Sequence, residues 1–250
     1  MKKENQNNGP DGKRPAVLAV LERAVSRDRV NLDPGLLEEI SRVYPETQDM
    51  AGEARHRWQD RVIVSEIPKG AYVLDLGCGT GELLGQLIGG MGVHGQAVEV
   101  DPEAAMVAME HGVPVLNIDI SEVLSDFSDQ SFDYVILEST IQTLKDPMNV
   151  LSEVLRVGKR CVVSFPNFGH WRTRYDLAVK GRMPVTESLP YQWYDTPNIR
   201  VLTFSDFMDW CAKKRVNILA SYGLVNGSVR TITEKDNLMV KEALMFISQG

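Results

Sequence analysis

"VLDLGCGTGELL", Val73 to Leu84, sets three glycines between an apolar strand-like run and an apolar helix-like run. In a doubly wound sheet, ligands gather beyond the carboxyl ends of the strands, where the strand order reverses. Gly77, Gly79 and Gly81 fall at the first strand-to-helix turn, where missing Cβ atoms permit unusual backbone angles and close approach of a ligand. The stretch predicts a nucleotide-like ligand at this turn.

Two familiar phosphate patterns fail here. The dinucleotide fingerprint G-x-G-x-x-G needs glycine at position 82, and Glu82 stands there, an anion where a pyrophosphate would meet the helix start. No Lys-Ser or Lys-Thr pair follows the glycines, so the P-loop pattern is also absent. S-adenosylmethionine, which carries no phosphate, fits better, and its product S-adenosylhomocysteine would use the same groups. Asp75 is expected to face its ammonium group, with Gly77, Cys78, Gly79 and Gly81 forming the turn around it. Glu99, eighteen residues beyond Gly81 in "AVEVDPE", can accept hydrogen bonds from both ribose hydroxyls. Asp119 in "LNIDI" can accept from the adenine amino group, with Ile118 and Ile120 against the ring. A plainer reading, glycines for packing and acids for solubility, must explain why the three features fall at three successive strand ends. Cys78 reads as a small residue in a tight turn, since no base lies near it in sequence.

Outward from this stretch the chain alternates strand and helix. Short apolar runs at Tyr72–Leu76, Ala97–Val100, Val113–Ile118, Tyr134–Leu137 and Cys161–Phe165 are separated by helical segments, the pattern of a parallel sheet covered on both faces. Pro147 opens one helix, whose apolar face is Met148, Leu151, Val154 and Leu155, and Gly158 closes it. "TFSD" at Thr203–Asp206 resembles a capping box. "VNILASYGLV" and "ALMFIS" supply a closing pair of strands. The expected fold is α/β and Rossmann-like, a mostly parallel seven-stranded sheet with helices on both faces.

Ahead of residue 68, residues 1–15 are polar and hold Pro and Gly, so they bury too little to offset ordering and read as a disordered tail. Residues 16–67 read as a helical extension: a helix over Ala16–Val30, a second after Asp33 and Pro34, and a third over Met50–Ile67. The ligand-binding α/β domain is then 68–250.

Net charge is −7, from 27 basic and 34 acidic residues, which argues against a protein built to neutralise nucleic acid. Cys78, Cys161 and Cys211 are scattered, so no disulfide framework and no metal site are expected. "AVLAVL" runs straight into Glu22 and Arg23, too short for a secretory signal, and no stretch approaches the ~18 apolar residues of a membrane span. The expectation is a soluble cytoplasmic protein.

"VLDLGCGTGEL", "VEVDPE" and "FDYVILESTIQTLKDP" resemble the class I S-adenosylmethionine-dependent methyltransferases. "LRVGKRCVVSFPNFGHWRTR", "GRMPVTESLPYQWYDTPNIR" and "TFSDF" narrow the resemblance to the MetW family of methionine biosynthesis proteins, over Val73 to Asp206 and more weakly through "NLMVKEALMFI". The resemblance implies a Rossmann-like methyltransferase fold, an S-adenosylmethionine site at the residues above, and a partner role beside homoserine O-acyltransferase. It departs from the family pattern at Thr80, where Asp is expected, which removes a charge from the turn.

Methyl transfer needs an aligned acceptor and often a base. After the fourth strand, Glu138, Ser139, Thr140 and Ile141 stand where amino-methylating enzymes carry a Pro-Pro-aromatic clamp, so an enzyme of that type is disfavoured. Glu138 is the candidate catalytic base for an oxygen acceptor, or else a binding group. Residues 164–210 hold more than half of the chain's aromatics. They read as a lid, a satellite core, or a recognition surface for a protein partner, for which Tyr, Trp and Arg are preferred anchors. The candidates on that surface are His170, Trp171, Arg172, Tyr191, Trp193 and Tyr194. Two functions follow: a binding partner and activator of homoserine O-acyltransferase, or a genuine methyltransferase acting on a small oxygen acceptor.

Overall fold

The computed structural model of the protein describes residues 57–225 and 227–250. The expected tail, the first two helices and the part of the third before Arg57 lie outside the described residues.

Helix α1 (Arg57–Glu66) leads into β1 (Tyr72–Leu76), and α2 (Glu82–Met91), β2 (His94–Val98), α3 (Pro102–Glu110) and β3 (Val115–Leu116) follow. A short α4 (Ile120–Val123) precedes β4 (Phe132–Leu137), then α5 (Pro147–Val157) and β5 (Gly158–Pro166). After α6 (Trp171–Tyr175) come α7 (Phe204–Lys214), β6 (Asn217–Val225), β7 (Ser228–Thr231) and β8 (Glu242–Ser248).

The strands form one sheet in the order β3-β2-β1-β4-β5-β8-β6-β7. β1 pairs in parallel with both β2 and β4, so the strand order reverses beside it and a crevice opens at its carboxyl end. From β5 onward the pairings are antiparallel. The sheet has eight strands among the described residues, one more than expected. The addition is β7, which turns back after Gly227 (φ +76°) and is exposed at every residue, so no apolar alternation marks it in the sequence. The third strand shrinks from a six-residue expectation to Val115–Leu116.

Local sequence explains most element ends. The Asp101 side chain accepts from the Glu103 and Ala104 amides and Pro102 occupies the first turn of α3. Thr203 and Asp206 form the expected capping box at α7. Gly158 follows α5 in extended backbone and begins β5; a Cβ there would lie 2.6 Å from Val135 Cγ2.

Trp58 and Ile63 of α1, with Ile67 just after it, are buried in one cluster with Val73, Leu84, Ile136, Val162 and Phe246, so the packed core begins ahead of residue 68. Asn167, just past β5, is buried and fully bonded: its amide donates to the Asn237 and Val240 carbonyls, and its Oδ1 accepts from the Gly169 and Phe204 amides. It ties the end of β5 to the start of α7. Segment Trp171–Pro184 belongs to a different compact unit from the residues that flank it. Within it α6 passes into a wider helical turn over Asp176–Lys180, Lys180 pairs with Asp176 at 2.6 Å, and Gly181 (φ +60°) ends the turn. No helix among the described residues is long and apolar enough to cross a membrane.

Candidate functional site

The glycine turn is built as its sequence requires. The Gly77 amide donates to Val98 O at 2.8 Å, coupling the end of β1 to β2, and Gly77 itself has φ +78°. A Cβ there would meet Thr140 Oγ1 at 2.6 Å, and that hydroxyl is already bonded to Glu138 O at 2.8 Å. Gly79 is the opposite case: its φ is +54° and a Cβ would meet nothing within 4 Å, so the backbone is open to an approaching molecule.

A cavity of about 290 Å³ opens beside this turn, lined by Gly77, Glu99, Asp119, Ile120, Thr140 and Lys145 among others. Glu99 is buried, and its carboxylate is fixed by two backbone amides, Gly79 N on Oε2 at 2.8 Å and Asp101 N on Oε1 at 2.9 Å. Each oxygen keeps a second lone pair for a ligand hydroxyl. Asp119 commits Oδ1 to the Ser121 amide and hydroxyl, and these bonds hold its carboxyl below the usual range. Asp75, Cys78, Gly79, Gly81 and Ile118 are not part of the cavity lining. Asp75 is buried in β1, and loss of solvent, aided by the charges of Asp60 and Glu99, pushes its carboxyl up to about 7. The Cys78 thiol is pushed up to about 12 by burial and the charges of Asp75 and Glu99, so it is no thiolate nucleophile at neutral pH.

Glu138 follows β4 next to Ser139, a non-glycine residue at φ +47°. Such backbone costs on the order of 1–3 kcal/mol and persists only where its surroundings enforce it. Here Ser164 Oγ accepts from the Ser139 amide at 2.9 Å and Gln142 donates to Ser139 O at 2.6 Å. Glu138 and Asp60 of α1 share a hydrogen bond. Removal from water raises the Glu138 carboxyl well above its ordinary range, and Asp60, Asp75 and Glu242 add repulsion. Glu242, at the start of β8, accepts on Oε2 from Trp58 Nε1 at 3.1 Å and Gln59 Nε2 at 2.9 Å.

Sequence reasoning missed Asp60, Gln59 and Glu242, whose only signal is a three-dimensional one. Lys145 was also unannounced, although it sits in the stretch after β4, where Thr140 was named. Among the described residues no group of three or more His, Cys, Asp or Glu side chains is placed to hold a metal ion.

The aromatic segment divides. Tyr191, Trp193 and Tyr194 are exposed, Trp193 at 74% and Tyr194 at 70%, and their rings meet edge to face. His170 is buried and presents little surface, while Trp171 and Arg172 open the segment that belongs to the other unit. The loop carrying the exposed rings returns to the cavity rim, where the Ile199 and Arg200 amides both donate to Gln142 O and Arg200 reaches Lys145 O.

The family described as methionine biosynthesis protein MetW matches residues 57–247. A bifunctional methionine biosynthesis protein MetXA/MetW of Rhodopirellula baltica is 35% identical over 165 residues, which cover 62% of this chain and 26% of that protein. The chain thus spans about a quarter of that relative's length. A demethylmenaquinone methyltransferase of Bacillus cereus is 27% identical over 216 residues, 79% of this chain and 89% of that one. Among solved structures, a SAM-dependent methyltransferase of Thermotoga maritima superposes with a TM-score of 0.58 at 18% identity, covering 93% of this chain and 99% of that one. At that identity the likeness shows the fold, an α/β Rossmann-like methyltransferase fold.

Proposed function

The chain belongs to the MetW family of methionine biosynthesis proteins, and from that premise we propose that it binds S-adenosylmethionine and serves as a partner and activator of homoserine O-acyltransferase. The observation that carries the partner role is the relative in which a MetW segment and a MetXA segment are one polypeptide. Fusion keeps two activities together, and exposed Tyr191, Trp193 and Tyr194 have the chemistry for a contact with such a partner.

The residues at the cavity suit the ligand. Next to the lining residues, Gly79 leaves backbone open for the amino-acid part and Asp75 and Glu138 offer acidic groups toward an ammonium, while the remaining lone pairs of Glu99, which does line the cavity, suit two ribose hydroxyls. Ile120 and Val150 supply apolar walls for a base, with Asp119 beside them. When bound, S-adenosylmethionine supplies an activated methyl group on a sulfonium. This chain's residues orient and neutralise that cation, and Glu138 is the group able to take a proton.

One observation favours the second reading, a methyltransferase with a small oxygen acceptor: Glu138, with its raised carboxyl, adjoins the cavity-lining Ser139, as a general base would. Homoserine acylation by the organism's own acyltransferase, measured with and without this protein at fixed S-adenosylmethionine, separates the two. Stimulation saturating near one-to-one is the expected result. No stimulation, together with S-adenosylhomocysteine released from a cell-extract fraction, would transfer the assignment to methyl transfer.

A further inference from the structure

Four acidic side chains from separate elements converge at one end of the sheet. Asp75 lies in β1 opposite Ile136 of β4, Glu138 follows two residues later, and Glu242 lies opposite Pro166 at the end of β5. Asp60 reaches them from α1 through its hydrogen bond to Glu138. Each acts on Glu138 with negative charge from a different direction: Asp60 from α1, Asp75 from β1 and Glu242 from β8.

A second feature points the same way. Gln59 is only 6% exposed; its Nε2 donates to Glu242, yet its Oε1 has no hydrogen-bond partner. The two atoms belong to one amide, so the orphan acceptor lies beside Glu242, one of these acids. A buried acceptor without a donor is costly, and it gains when a positively charged or donating ligand arrives. Acids and orphan carbonyl together form a surface of acceptors. Among the described residues these acids are not a set placed to hold a metal ion, and a surface of acceptors complements an organic cation.

We infer that Asp60, Glu138 and Glu242, with the Gln59 carbonyl, make the ligand site selective for charge, favouring a sulfonium over the uncharged thioether, with a proton leaving the Asp60–Glu138 pair as the cation enters. This rests on the S-adenosylmethionine reading and specifies its regulation: the protein distinguishes the methyl donor from its spent product. The balance is simple. The carboxyl proton passes to solvent, and the carboxylate it leaves is neutralised by the sulfonium. Glu138 ionises more fully as pH rises, so affinity for the cation increases with pH while affinity for the thioether changes less.

Calorimetric titration of the full chain with S-adenosylmethionine and with S-adenosylhomocysteine, at pH 6 and pH 8.5 and in two buffers of different ionisation enthalpy, tests this. Both molecules carry the same nucleoside and amino-acid groups and differ in the S-methyl and its positive charge, so the pH dependence of their difference reports the charge. The expected result is proton release with the sulfonium alone, and a donor-over-product preference that grows on the order of tenfold between the two pH values. Glu138→Gln, which keeps shape without charge, should abolish both effects; Asp60→Asn removes the other partner and should do likewise, and thermal melts identify whichever variant is folded. Equal affinities and equal pH profiles for the two molecules would overturn the inference and leave the binding reading standing. Binding of neither molecule would overturn both.

Discussion

The strand ends carry two walls of residues, one lining the cavity and one, of Glu138 and its neighbouring acids, outside that lining, and they are built in opposite ways. On the wall made by the glycine turn and Glu99, polar groups are satisfied before any ligand arrives: the carboxylate takes two backbone amides, and the turn is held by the Gly77 amide on Val98 O. On the wall made by Glu138, polar groups are left in excess: acids face acids, Ser139 sits in left-handed backbone, and Gln59 and Gln142 each keep a buried carbonyl oxygen without a donor. The first wall can be a rigid seat. The second gains most when something positively charged reaches it, and strain and unmet polar groups of this kind concentrate where proteins act.

The largest blow to this contrast should come from the side chain that supports the second wall. Trp58 fills the core and bonds Glu242, so Trp58→Ala should cost about 3–5 kcal/mol in chemical unfolding. A loss under about 1 kcal/mol would mean that α1 is not part of the packed core.

Next is the pH dependence of stability. Asp75 is raised from an ordinary 3.8 to about 7, so between those values the folded protein holds a proton that the unfolded chain has lost. Stability from this group therefore falls as pH rises through that window, and is lowest above it. Asp75→Asn should flatten the decline and be more stable than the parent at pH 8, by on the order of a few kcal/mol. Unfolding curves at pH 5 and pH 8 that change in parallel for the two proteins would show that Asp75 carries no such burden.

Gly77→Ala sharpens the other wall. Its methyl would press on Thr140 Oγ1 in backbone that disfavours a side chain, and the expected loss is about 2–3 kcal/mol of stability. Gly79→Ala, with open space around it, should pay mainly the backbone cost, about 1 kcal/mol. Equal losses at the two positions would remove the distinction between a glycine kept for packing and one kept for a ligand.

The same contrast explains what could be read in advance. The glycine turn, Glu99 and Asp119 lie within one contiguous stretch, each at a strand end that apolar runs announce, so register and ligand crevice follow from local pattern. β1 matched its expected span, and both closing strands lie where their apolar runs put them. The second wall is assembled from residues far apart in sequence: Gln59 bonds Glu242 across 183 positions. Nothing local in "RWQD" or "KEAL" marks an acid that will meet another acid, because that meeting is set by how α1 packs on the sheet. β7 escaped for a different reason, since an exposed edge strand needs no apolar face.

The most direct measurement of the central claim is a calorimetric titration of S-adenosylmethionine into the wild-type protein and Glu99→Ala. Saturable one-to-one binding is predicted, weakened by about 1.5–3 kcal/mol in the variant as the ribose loses a charged acceptor and two backbone amides lose theirs. An affinity unchanged by the substitution would contradict the placement of the ligand at this cleft.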